Sequence, residues 1–543
     1  MKKKALSLVL TVLVTSTIVF TGCGKKTTTN SAKDSNFKSS GLPIVKKKVT
    51  LKIVSPKSAL APNYDKMTIF KRLEKSTNIH IDWTNIPDTD YQTKKNLLLA
   101  SGDLPDAFYA AGFSDADMNK YGKDGTIVPL GSLINKYMPN VKKLLNKEPD
   151  LKTFITSPDG KIYSLPVGEE MGTGKNNIGS NPYFYFINKT WLKKIGKKVP
   201  TTLDELHEDL LEFKNKDLNG NGKQDEIPMK FISNFWCADI GNFFGSFGIP
   251  DPYTNAPYDH LIVRNGKIVF APEQPEYKQA VQYFSKWVKE GLIDKSSFTD
   301  TTADSLFAKG KTKPETLGSF VWWEETEIVG TDREKEYALV GPLTGPTGKS
   351  DVVRSNGSAW SRGAFVITKD NKHPEVTARW IDQLYSPLEA AQIHWGPIGE
   401  VYNLKNGKLV NKPLPKGVTM GEYRQKVAPS GVGVVTANDF NTIVDMEARA
   451  KERINRIKNV FAPNMADENI PTLFFTDDET SRRNQIETDL KAYVNKMKSQ
   501  WLMNGNLTDA AWNTYLNNLK KIGVDQFVKI TQDAYDRYQK QNK

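Results

Sequence analysis

Histidine and cysteine are scarce for a chain of 543 residues: the five histidines stand far apart at His80, His207, His260, His373 and His394, and the cysteines are Cys23 and Cys237. No histidine spacing matches a zinc-protease helix and no strand-to-helix serine elbow occurs, so two common hydrolase signatures are missing. Cys237 lies in Phe235-Trp236-Cys237-Ala238, where a lone thiol among aromatics reads as core packing rather than a nucleophile. The segment Gly341-Pro-Leu-Thr-Gly-Pro-Thr-Gly-Lys-Ser350 ends like a phosphate-binding loop, yet Leu343 stands where the first glycine belongs, which leaves a Gly/Pro loop. Beyond residue 22 no stretch is apolar and long enough to cross a bilayer, and no internal repeat is found.

What is present begins with an export signal. Lys2, Lys3 and Lys4 precede a mostly apolar run from Ala5 to Phe20, followed by Thr21, Gly22 and Cys23. A helix of that length reaches only ~25 Å, short of a comfortable membrane crossing, so a cleaved secretory signal over 1–22 is expected. The small residues before Cys23 resemble a bacterial lipobox, with Phe20 departing from the usual Leu, and imply lipidation of Cys23. The Lys/Thr/Ser/Asn-rich stretch 23–47 reads as a flexible tether. With Cys23 acylated, no intrachain disulfide is possible.

The formal net charge is +13; three of the lysines belong to the signal, leaving +10 for the remainder. Lys and Arg are interspersed with acids rather than blocked into a patch, so nucleic acid is not expected as a partner. The roughly five hundred residues left after the signal exceed what one core normally serves, and two lobes are expected. Val49–Val54 and Ile79–Trp83 alternate like strands around a helix over Thr68–Lys75, the opening of an α/β lobe. Further strands are predicted at 161–167, 183–187 and 363–368, and helices from Thr202, over 374–385 and through most of 477–540. Thr202-Leu-Asp-Glu205 fits a capping box.

Several segments together resemble the extracellular solute-binding lipoproteins of ABC importers, in particular the oligosaccharide- and alginate-binding branch. They are Leu98-Leu-Ala-Ser-Gly-Asp-Leu-Pro-Asp106, Leu192-Lys-Lys-Ile-Gly-Lys-Lys-Val-Pro200 before the capping box, Trp395-Gly-Pro-Ile-Gly-Glu-Val-Tyr402, and Ile522–Phe527 followed by Ala534–Tyr538. The resemblance implies an α/β, two-lobe periplasmic-binding-protein-like fold of type II with a hinge and a helical C-terminal region. The expected partition is 48–166 with 355–428 in one lobe, and 167–354 with 429–543 in the other. It also implies a monomer, held at the outer face of the cell membrane by its lipid, that captures a carbohydrate between the lobes and delivers it to permease subunits without transforming it.

Asp217-Leu-Asn-Gly-Asn-Gly-Lys-Gln-Asp-Glu226 is the sharpest local pattern. Oxygen-bearing side chains at Asp217, Asn219, Asn221 and Asp225, Gly222 at the turn and the Lys223 carbonyl reproduce the front of an EF-hand loop. Pro228 stands where that loop has its bidentate Glu, and Glu226 could serve instead. A structural Ca2+ is therefore expected; an ion-free Asn/Gly turn is the alternative. Members of the resembling family carry the same shortened loop.

Sugars offer apolar C–H faces to flat rings and hydroxyls to polar neighbours. Trp322, Trp323 and Glu324 lie where sugar-binding members of the family place a stacking aromatic; Trp236, Trp360, Trp395 and Tyr402 are further candidates, each open to a core-packing role. Arg354 and Arg362 could clamp an anionic sugar or serve in salt bridges. The alternatives to a carbohydrate binder are a peptide-binding lipoprotein, or an exported hydrolase using Glu324/Glu325 or Asp477/Asp478 as paired carboxylates.

Overall fold

A computed structural model describes residues 36–253, 258–356, 358–416 and 420–542. The signal run and the expected lipidation site Cys23 lie outside the described residues.

Two sheets, each with its own core, divide the molecule. The first is built from β1 (Val49–Lys57), β2 (Ile79–Pro87), β3 (Ala107–Tyr109) and β4 (Leu165–Glu169). The chain then builds a second sheet from β5 (Phe184–Asn188), β6 (Ser319–Trp322) and β7 (Tyr337–Val340). It returns to the first with β8 (Trp360–Ile367) and β9 (Gly433–Val435). The strand orders are β9-β4-β8-β3-β1-β2 and β6-β5-β7. This is the mixed α/β, two-lobe architecture that the chain length, the strand pattern and the family resemblance lead one to expect.

Pairing direction fixes where the loops gather. β1 is parallel to β2 and β3, β9 is parallel to β4, and β8 is antiparallel to both β3 and β4. β1, β2, β3, β4 and β9 therefore end on one edge of the sheet, and β8 begins there. In the second sheet β5 is antiparallel to both neighbours, with Phe184 opposite Trp322 and Tyr185 opposite Val340. The start of β5 and the ends of β6 and β7 share an edge. Each crossing between the sheets, from β4 to β5, from β7 to β8 and onward from β9, leaves from these two edges. In open α/β sheets, ligands sit outside the carboxyl ends of the strands.

Two expectations of chain partition need correction. Residues 36–47, expected to belong to a flexible tether, are docked on the first lobe: Phe37 bridges Val45, Ile44 and Val45 are fully buried, and Arg379 donates to the carbonyls of Lys38 and Gly41. A short apolar stretch inside a polar segment suffices for this, since burying each such side chain contributes ~1.5–3 kcal/mol. Likewise β9, placed by the expected boundary at 429 in the second lobe, is an edge strand of the first sheet.

The C-terminal region is helical as its periodicity predicts, with helices Asp477–Asn504, Asp509–Ile522 and Val524–Gln541. Ile486, Leu490, Val494 and Trp501 of the first are buried in the second-lobe core. Its start is held by a capping box between Thr476 and Glu479, the latter also gripped by Arg537.

Candidate ligand-binding site

The candidate aromatics divide between the two lobes. On the second lobe, β6 ends in Trp322, Trp323 follows it, and the helix Glu325–Val329 comes next. Trp322 is buried and stacks on Phe235 at 5.5 Å between centroids, a packing role. Trp323 is half-buried and stands 6.1 Å from Trp236 with the rings tilted at 45°. Trp236 is 37% exposed, which makes it one of the few large apolar side chains left toward solvent. Trp236 and Trp323 thus form an angled aromatic corner, while Trp322 packs in the core against Phe235 and Phe307.

Glu324 does not face the open corner with a free charge. The helix Ala448–Arg456, which the chain enters after leaving β9, presents Arg449, Arg453 and Arg456 at i, i+4 and i+7 along one face. Arg449 donates to Glu324 at 2.6 Å and to Glu334 at 3.2 Å; Arg453 donates to the other Glu324 oxygen. Arg456 grips Glu325 through two bonds of 2.7 and 2.8 Å. Burial alone would raise the Glu325 carboxyl, but these bonds outweigh it and hold the group below its ordinary range. The guanidinium of Arg453 also lies over the Trp323 ring, 3.9 Å from its centroid. Glu324 and Glu325, adjacent in sequence, therefore address different arginines and do not converge as an acid and base.

On the first lobe, Trp360 opens β8 opposite Gly168 of β4. A Cβ at Gly168 would sit 2.5 Å from the Ala359 carbonyl and 2.7 Å from the Trp360 ring, so only glycine allows this approach. The Trp360 indole N–H is buried without a partner among the described residues. Trp395 ends the helix Pro387–Trp395, and Arg424 stacks over its ring at 4.2 Å while donating to Glu169 at the end of β4 at 2.9 Å. Tyr402 is 2% exposed. Trp395, Tyr402, Met171, Phe440 and Met446 line a cavity of about 390 Å³ whose far wall is the opposite face of the arginine helix, at Glu447, Ala448 and Lys451. Trp395 and Tyr402 are brought together there, apart from Arg354.

Arg354 lines a separate second-lobe cavity and donates to the backbone carbonyls of Ala466 and Asp467. Arg362 forms a two-pronged pair with Asp115, both bonds 2.7 Å, and donates to carbonyls of Phe154 and Leu473. Arg362 is committed to protein acceptors, and Arg354 is engaged through its Nη1. Sequence reasoning missed the arginine helix, Arg424, Glu169 and Glu327. The i, i+4, i+7 spacing of Arg449, Arg453 and Arg456 was a readable signal; the others require tertiary placement.

The Asp217–Glu226 loop folds on its own oxygens. Asp217 accepts from the backbone N–H groups of Gly220, Asn221 and Gly222 at 2.7, 3.1 and 2.8 Å. Gly220 and Gly222 have φ of 78° and 75°, left-handed values that glycine adopts without strain. Asn219 and Asn221 donate to Asp225, whose carboxyl is thereby held below its usual range. Glu226 accepts from Leu218 and Asn219 through Oε1, while its buried Oε2 has no partner among the described residues. No group of three or more His, Cys, Asp or Glu side chains gathers to hold a metal among the described residues. The Asn and carbonyl oxygens complete a set of hard donors, and with the orphaned Glu226 oxygen they fit a cation such as Ca2+.

Known proteins share this chain's length and organisation. The fructooligosaccharide ABC transporter substrate-binding protein FusA of Streptococcus pneumoniae is 38% identical over 550 residues, covering 99% of both chains. The structure of that protein in complex with kestose superposes with a TM-score of 0.77, covering 90% of this chain and 99% of the other. A second structure, an EF-hand mutant of the same protein in complex with fructo-nystose, gives a TM-score of 0.76 at 38% identity and the same coverage. The family and these relatives bind substrates rather than transform them, which removes the hydrolase alternative. The family described as bacterial extracellular solute-binding protein matches residues 59–391, and the chain belongs to it.

Proposed function

We propose that this chain is the substrate-binding component of an ABC importer and captures a neutral oligosaccharide of the fructo-oligosaccharide kind between its lobes. The observation that carries this is the Trp236–Trp323 corner at the edge where the chain crosses between sheets. Flat rings suit sugar C–H faces, and lobe closure around a hinge would bring Trp360 toward the same ligand. Neutrality is favoured because the guanidinium groups near the junction are engaged: Arg449, Arg453 and Arg456 by glutamates, and Arg424 by Glu169. The 38% identity to a fructooligosaccharide-binding protein supports the same ligand class.

In this reading the signal over 1–22 is cleaved, Cys23 carries a lipid, and the protein works as a monomer at the outer membrane face beside its permease subunits. Asp217, Asn219, Asn221, the Lys223 carbonyl, Asp225 and Glu226 hold a structural Ca2+ that braces the second lobe. The test is a thermal-shift panel of neutral, acidic and amino-sugar oligosaccharides and of peptides, with chromatography to detect turnover. Stabilisation by kestose-type oligosaccharides without turnover is expected. Stabilisation by peptides alone, or cleavage of a glycan, would overturn the assignment.

A further inference from the structure

Glu327 lies in the helix Glu325–Val329 and is exposed. Its Oε2 accepts the indole N–H of Trp322 at 2.9 Å and that of Trp323 at 2.7 Å. One oxygen thus ties the buried ring to the half-exposed one and fixes how the Trp323 plane is turned. The second oxygen, Oε1, accepts no hydrogen bond among the described residues, and no Lys or Arg there forms an ion pair with Glu327. Its neighbours Glu324, Glu325 and Glu334 are matched by Arg449, Arg453 and Arg456. Among the described residues Glu327 thus stands at the polar edge of Trp323 with no cationic partner, while Arg453 covers one face of that ring. A carboxylate oxygen with free lone pairs can accept from a hydroxyl and has nothing to offer another carboxylate.

We propose that Glu327 is a specificity-determining residue of the binding site: Oε2 sets the Trp323 plane, while Oε1 accepts a hydroxyl proton from the sugar stacked on it and repels a carboxylated sugar. This rests on the oligosaccharide reading above and deepens it, because it locates selection for neutral sugars in one side chain. Substitution by Gln keeps an oxygen that can hold both indoles, and it removes the charge. Substitution by Ala removes both.

Titration calorimetry of the wild-type chain, E327Q and E327A decides the matter, using kestose and kestose oxidised to carboxylates at its primary hydroxyls, with weak binding read by competition. Loss of an acceptor for a sugar hydroxyl is expected to weaken kestose binding about ten-fold in E327A. E327Q should keep wild-type tryptophan emission and lose less. Its preference for kestose over the carboxylated form should fall at least about three-fold at low salt and less at high salt, as exposed charges are screened. Kestose affinities equal to wild type in both variants, or an unchanged preference in E327Q, would overturn this role alone. Failure of the wild-type chain to bind any neutral oligosaccharide would overturn the underlying reading, and this role with it.

Discussion

Replacing Asp217 by Ala separates two effects that the acidic loop combines. Without an ion, the substitution strips the acceptor from the N–H groups of Gly220, Asn221 and Gly222. Water can take its place in this exposed loop, so the loss is on the order of 1–2 kcal/mol in total. With an ion, the wild-type protein gains a further ~2.7 kcal/mol when free Ca2+ is a hundred-fold above its dissociation constant. For a cooperative unit of ~250 residues with an unfolding entropy of ~2.1 cal/mol/K per residue, that gain raises Tm by about 5 °C. Differential scanning calorimetry with excess Ca2+ and with chelator should show this gap in the wild-type protein and close it in Asp217→Ala. Identical wild-type Tm values in the two conditions, or the same gap in the variant, would refute the assignment of these oxygens to a cation.

Other consequences follow from buried charge. Arg362→Ala leaves Asp115 without its two-pronged partner at a position where the Arg side chain is 6% exposed, and should cost about 3 kcal/mol in a denaturant titration without altering the aromatic corner. Asp209, nearly fully buried on the helix Leu203–Asn215, has its carboxyl pushed up to about 7 by burial. The native state therefore binds this proton more tightly than the unfolded chain, so its ionisation destabilises the protein above pH 7, and the penalty is relieved as pH falls toward 4. Asp209→Asn should raise Tm at pH 8, keep only part of that advantage at pH 5 and lose it near pH 4, as thermal melts across this range would register. His394 is shifted the opposite way for a base: burial lowers its pKa, so its contribution is full above the ordinary histidine range and declines as pH falls below it. His394→Gln should flatten that part of the pH profile of Tm.

Local rules made much of the fold legible. The capping box at Thr202 starts a helix where predicted, because a side chain that bonds its own N3 amide acts within four residues. The helical stretch expected over most of 477–540 is present, and Ile486, Leu490 and Val494 at helical spacing form its buried face. What failed depended on distant partners. β9 is three residues of Gly and Val whose membership in the first sheet is set by β4, more than two hundred and fifty residues earlier. The docking of residues 36–47 depends on Arg379 and on a hydrophobic surface assembled from other elements. At the site, Trp322 and Trp323 were indistinguishable in sequence, and strand alternation into packing against Phe235 is what separates them. Glu327 gave no signal, because its importance lies in a helix turn that brings it under two indoles.

The most direct measurement is isothermal titration of the full exported chain with kestose, in parallel with Trp323→Ala. One molecule should bind per chain in the wild type, and the Trp323→Ala protein, melting normally, should lose at least ten-fold in affinity, consistent with ~1.5 kcal/mol or more for a stacking ring. Equal affinity in the two proteins, or no binding of any neutral oligosaccharide, would contradict a ligand site built on this aromatic corner.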